Sequence, residues 1–137
     1  MDQSKQPGLK FDRIIVKNIN FDRTEQFTGK PKLEINFKQN IQIDPNKNRM
    51  ICLLTGSLED ENKNFHFEAT IAGFFSSKEE NPNMPIEEFA KSNALAHMFP
   101  FFRELVFNIT SRAGIPPIIL PPMNVNAMIK DSEKKKK

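Results

Sequence analysis

From Leu33 to Ile43 the chain alternates strictly: Leu33, Ile35, Phe37, Ile41 and Ile43 point one way, and Glu34, Asn36, Lys38, Asn40 and Gln42 the other. A period of two with a single apolar side specifies a half-buried antiparallel strand with one wet face. The chain must therefore supply neighbouring strands and something apolar to cover one side of the sheet they form.

Three further stretches provide strands. Residues 11 to 21 (FDRIIVKNINF) read as a strand with Phe11, Arg13, Ile15, Lys17, Ile19 and Phe21 on one face and Ile14 and Val16 on the other, so that both faces need cover. Residues 50 to 58 (MICLLTGSL) and 64 to 76 (NFHFEATIAGFFS) follow, joined by the turn residues Asp60-Glu61-Asn62-Lys63. In the last of these Phe65, Phe67, Ala69, Ile71, Gly73 and Phe75 share a face, and Gly73 leaves room for a bulge, a bend or a close neighbour.

The cover comes from the second half. Pro85 suits a first helical turn, with Glu87 and Glu88 at the positive end of the helix dipole. Pro100 is costly inside a helix, so the pattern predicts two pieces, about 85 to 97 and 99 to 113. Gly114 is the expected stop, and Asn124 can cap a short final helix from Val125 to about Glu133. The predicted fold class is α+β: a four-stranded antiparallel sheet with two C-terminal helical regions. It forms a single domain over residues 1 to 137, with 1 to 9 and 131 to 137 as flexible ends.

Apolar surface exceeds what one such sheet can bury. Phe102, Leu105, Val106 and Ile109 form one stripe on the longer helix, and Phe99, Phe101 and Phe107 spread round its sides. Ile115, Ile118, Ile119, Leu120 and Met123 then stand among four prolines, where an extended loop displays them. Thirteen Phe with no Tyr or Trp add area without a polar handle. The expectation is contact rather than chemistry, with another subunit covering part of the excess.

Other functions find little support. The pI of about 9.0 suggests nucleic acid, but the net charge of +3 is carried by the last ten residues, where five Lys face Asp131 and Glu133. The body is neutral, and no basic groove interleaves with stacking aromatics, so no nucleic-acid partner is expected. His66 and His97 lack metal-pair spacing, the Glu59-Asp60-Glu61 turn lacks the pattern of a calcium loop, and five isolated glycines make no phosphate loop. Cys52 sits in an apolar run as a small core residue. Neither catalysis, cofactor nor metal is expected, nor stable membrane insertion, since no apolar run reaches spanning length. A cytoplasmic location is the default.

The chain resembles the SecB-type export chaperones over roughly residues 10 to 129. The likeness is carried by Arg13-Ile14-Ile15-Val16-Lys17-Asn18-Ile19-Asn20-Phe21, Gly73-Phe74-Phe75-Ser76, Phe99-Pro100-Phe101-Phe102-Arg103-Glu104, Ser111-Arg112 and Leu120-Pro121-Pro122-Met123-Asn124-Val125-Asn126-Ala127-Met128, in this order. The resemblance implies a homo-oligomer, dimer or homotetramer, joined through first strands and main helices, and carries Ile15, Phe99, Phe102, Arg103 and Val106 to that interface. It implies ATP-independent binding of unfolded polypeptides in apolar grooves and their delivery to the SecA motor. Phe27, Ile118, Leu120, Met123, Val125 and Met128 match the client-binding positions, and Asp22 and Glu68 the motor-docking acids. At a third docking position this chain has Asn18, and it ends in lysines where family members carry a polar tail. An alternative reading is an adaptor dedicated to one partner, such as an antitoxin-type client.

Overall fold

The computed structural model of the chain describes residues 9–44, 49–77, 94–121 and 127–128. Four strands, β1 (Leu9–Arg23), β2 (Leu33–Asp44), β3 (Arg49–Asp60) and β4 (Phe65–Ser77), precede one helix, α1 (Ala94–Arg112). The strands form one antiparallel sheet in the order β1-β4-β3-β2. Sequential pairing puts β2, β3 and β4 side by side, whereas β1 lies at the far edge. The segment from Thr24 to Lys32 therefore has to cross an end of the sheet.

That crossing is pinned to the β3–β4 turn. Asn64 accepts the Thr28 N–H on Oδ1 at 2.8 Å and returns a bond from Nδ2 to the Thr28 carbonyl at 2.9 Å. Asn62 Nδ2 donates to the Lys30 carbonyl, and Asp60 Oδ1 accepts the Lys32 N–H at 2.9 Å. Asp60 and Asn64 are buried because they satisfy backbone groups of the connection that no strand could reach. Lys63 takes φ 60° to close the turn.

The register of β1 differs from a simple alternation. Shifts lie between Phe11 and Arg13 and between Val16 and Asn18, so Asp12 and Lys17 are each an extra residue against β4. Residues directly opposite one another share a face. Phe11, Ile14, Val16, Ile19 and Phe21 pair with Phe75, Gly73, Ile71, Ala69 and Phe67 and hence all point to the helix side. Arg13, Ile15, Asn18, Asn20 and Asp22 take the outer side. The expected division of β1 into two apolar faces is thus corrected: two bulges gather its apolar residues on one face, Ile15 excepted.

The core lies between that face and α1. Leu95, Met98, Phe99, Phe102 and Val106 form the inward stripe, buried with Phe37, Leu54, Leu58, Phe67 and Phe75. Phe102 meets Phe37 and Phe67 edge-on, with centroids 5.4 and 6.0 Å away; a side chain of this size contributes about 2 to 3 kcal/mol by burial. Gly73 gives the predicted close approach, since a Cβ there would lie 2.9 Å from Met98 Sδ.

The expectation of two C-terminal helical regions is overturned. One continuous helix runs through Pro100, with no break between 97 and 99. Pro100 is exposed on the outer side, while the stripe before it and the stripe after it pack on one sheet. Continuity is set by that shared packing, which outweighs a cost of about 3 kcal/mol for an interior proline. Residues 85 to 93 lie outside the described residues, as does the expected final helix apart from Ala127 and Met128. Gly114 follows α1 with φ 74°, a conformation a side chain resists.

Candidate functional site

Two segments border the end of the sheet where β1 finishes. One is the crossing connection. Phe27, half-buried, lays its ring parallel to Phe65 at 6.1 Å and 9°. The other is the chain after α1, where Thr110 is the anchor: its buried hydroxyl donates to the Val106 carbonyl at 2.8 Å and accepts the Ile118 N–H at 3.0 Å. With Ile118 so fixed, Ile115 and Leu120 turn into the core, Ile118 is half-buried against it, and Ile119 is 71% exposed.

Arg23 joins the two segments. From the last position of β1 its Nη1 donates to the Ala113 carbonyl at 2.6 Å, its Nε to the Thr24 carbonyl at 2.8 Å and its Nη2 to the Glu25 carbonyl at 3.1 Å. The same guanidinium stands 4.9 Å from the centre of the Phe27 ring. Sequence reading overlooked this residue, because a lone Arg at a strand end carries no motif.

The client-binding positions drawn from the resemblance divide three ways. Phe27, Ile118 and Met128 are half-buried against the core, each with part of its surface open. Leu120 is sealed in the core at 2% exposure, whereas Ile119 beside it is exposed. Met123 and Val125 lie outside the described residues. Ile119 lines a shallow depression with Pro100, Arg103, Glu104 and Phe107; alternation along the extended loop was the signal that Ile119 and Leu120 point oppositely.

The interface positions also separate. Ile15 is exposed on the outer face of β1, and Arg103 is half-buried on the flank of α1. Phe99, Phe102 and Val106, expected at a subunit contact, are buried in the core of the single chain. They repeat on the stripe facing the sheet, which leaves Phe101, Glu104, Phe107 and Asn108 outward. Val16 and Ile19, on the helix side of β1 but beyond the cover of α1, are 49% and 41% exposed. Ile14, Val16, Phe101 and Leu105 border a cleft there.

On the outer face a transverse row crosses all four strands: Asp22, His66, Glu59 and Glu34. His66 Nδ1 is 2.9 Å from Glu59 Oε1. Glu68 stands in the next row opposite Asn20, and Asn18 opposite Thr70 beyond it. Asp22 and Glu68 are therefore exposed on one surface, on the side away from α1.

Burial pushes the Cys52 thiol up to about 11, so it stays protonated within the core. Among the described residues no group of three or more His, Cys, Asp or Glu could hold a metal ion, and no helix is long and apolar enough to cross a membrane.

The sequence matches the family described as Preprotein translocase subunit SecB over residues 2–136. This chain belongs to the SecB family. Its SecB relatives include the protein-export protein SecB of Neisseria meningitidis, 26% identical across 97% of this chain and 95% of that one. The protein MJ0357 of Methanocaldococcus jannaschii is 34% identical, covering 99% of this chain and 92% of the other. In fold, the chain is similar to the Mycobacterium tuberculosis Rv1957 SecB-like chaperone, solved in complex with a ChAD peptide from the Rv1956 HigA1 antitoxin. The TM-score is 0.71 at 16% identity, over 85% of this chain and 88% of that one. SecB-family proteins are non-catalytic chaperones.

Proposed function

We propose that this SecB-family chain is an ATP-independent chaperone that holds apolar segments of unfolded polypeptides between its crossing connection and the chain following α1. Its favoured client is a restricted one, of the antitoxin type. The observation that carries the reading is the placement of Phe27 and Ile118, half-buried and half-open, on the two segments that Arg23 bridges. A client side chain entering there loses water at about 25 cal/mol per Å² of apolar surface, and it needs no chemical step to be held. The likeness in fold to a chaperone solved with an antitoxin peptide supports the restricted clientele.

Two copies meet through their open β1 edges. β1 is paired on one side only, and Ile15, Val16 and Ile19 are exposed along it. The place of work is the cytoplasm, as is typical of SecB-like chaperones. Delivery to the SecA motor is a second reading, favoured by the shared outer surface of Asp22 and Glu68 and weakened by the neutral Asn18.

The test is direct. Purified full-length protein is titrated with reduced, carboxymethylated lactalbumin, which stays unfolded, alone and in competition with antitoxin C-terminal peptides. Capture of lactalbumin that is lost in Phe27→Ala and displaced by one antitoxin peptide in preference to others is expected. Equal displacement by every apolar peptide favours a general clientele, and no capture of any unfolded chain ends the proposal. SecA binding that depends on Asp22 and Glu68 would establish the second reading.

A further inference from the structure

The strongest geometric feature outside the family's known positions is the guanidinium of Arg23, and we infer that Arg23 is a positioning residue that sets the spacing between the two walls of the client site. The inference rests on the proposed holding site and goes beyond it by naming the group that keeps the site in shape.

Arginine offers five N–H donors in a rigid plane. Here three of its nitrogens are used on three carbonyls: Thr24 and Glu25 at the start of the connection, and Ala113 at the end of α1. The first two hold the connection as it leaves β1. The third reaches across 90 positions of sequence to the other wall. At the Ala113 carbonyl the cation also meets the negative end of the helix dipole, which favours a charge there. The backbone of Arg23 is itself fixed by pairing with Phe65 in β4, the residue on which Phe27 stacks. Sheet, connection and helix end are thus referred to one side chain.

Phe27 is included in the same arrangement. It lies against Phe65 and under the cation of Arg23, a contact that favours a flat ring beneath a charge. Without Arg23 the Thr24–Thr28 segment keeps its bonds to Asn64, so the chain stays folded. What it loses is the tie to Ala113 and the second partner of Phe27. Lysine, a single point charge with no planar fork, can reach one carbonyl but cannot serve all three.

The experiment uses the full chain with Arg23→Ala, Arg23→Lys, Phe27→Ala and the Arg23→Ala/Phe27→Ala double variant. Dissociation of reduced, carboxymethylated lactalbumin is measured for each, together with amide exchange over residues 24–28 and 109–114. Arg23→Ala is expected to speed dissociation about fivefold, as the loss of charge-assisted bonds at an exposed site would. Arg23→Lys should fall between, and the double variant should be worse than Phe27→Ala by less than the full fivefold, because the ring's share of the Arg23 effect is already gone while the tie to Ala113 is lost besides. Exchange should quicken in both walls at once. If Phe27→Ala weakens capture while Arg23→Ala does not, or if the two effects multiply, the positioning role is overturned and the holding site stands. If lactalbumin is not captured by the parent protein, the holding site falls, and unchanged exchange at residues 109–114 in Arg23→Ala then removes the clamp as well.

Discussion

Phe102 stands directly over Gly56: a methyl group on that glycine would meet Cζ, Cε1 and Cε2 of the ring. The closeness lets α1 settle on β3 where both are fully buried, with Phe37 and Phe67 enclosing the ring from the sides. Because the ring is boxed in, it has no free direction in which to yield.

Gly56→Ala should therefore destabilise the fold by about 3 kcal/mol, at the upper end for overpacked cores. Urea unfolding measures this, and Gly56→Ala combined with Phe102→Leu should recover part of the loss. A Gly56→Ala protein as stable as the parent would show that the helix does not sit as described.

Pro100 gives the opposite prediction. It occupies an exposed interior position of a continuous helix and leaves the carbonyl four residues earlier without its intrahelical bond. Pro100→Ala should raise stability by about 1 kcal/mol or more and lift the melting temperature by several degrees. A lower melting temperature would mean that the proline shapes the helix usefully.

Asp60 makes stability depend on acid. Burial by itself would raise its pKa, but the N–H groups of Lys32, Asn62 and Asn64 and the side chain of Asn64 outweigh burial and hold it below the usual carboxylate value. A group depressed in the folded state stabilises above its unfolded pKa of about 3.9, and that contribution is lost as pH falls through the folded value. Urea midpoints taken from pH 7 downward should drop below about pH 4, and Asp60→Asn should flatten that drop while costing about 2 kcal/mol at pH 7. Identical acid profiles for the two proteins would remove Asp60 from the account.

The open edge of β1 is tested by charge. Val16→Lys with Ile19→Lys places two cations on exposed apolar ground without touching the core. Sedimentation should show a shift to smaller species at equal concentration, with secondary structure retained. An unchanged mass would place the subunit contact elsewhere.

Much of this fold could be read from period alone. The strict alternation of β2 survives intact against β3 from Leu33 to Asp44, and the apolar side of β4 is the one that meets the helix. β1 was harder, because one extra residue at Asp12 and another at Lys17 shift phase without altering composition. The helix was misread at Pro100 because a local cost was weighed without the tertiary packing on either side of it. Of the proposed site, Phe27 and Ile118 were named through the family resemblance. Arg23 was not, since its role depends on Ala113 coming near, and nothing in local sequence reports a contact at that separation. Burial of Phe99, Phe102 and Val106 follows from which stripe faces the sheet, a choice that nine large apolar side chains around one helix leave open until the sheet is in place.

The extra residues at Asp12 and Lys17 mark two places where the first strand can be shortened. Phe11 and Arg13 already sit opposite consecutive residues of β4, as do Val16 and Asn18, so excising either spacer would close the ladder and leave every remaining side chain on its present side. Loss of a spacer should thus be tolerated better than loss of Ile14, which would carry Arg13 beneath the helix or turn Val16 outward.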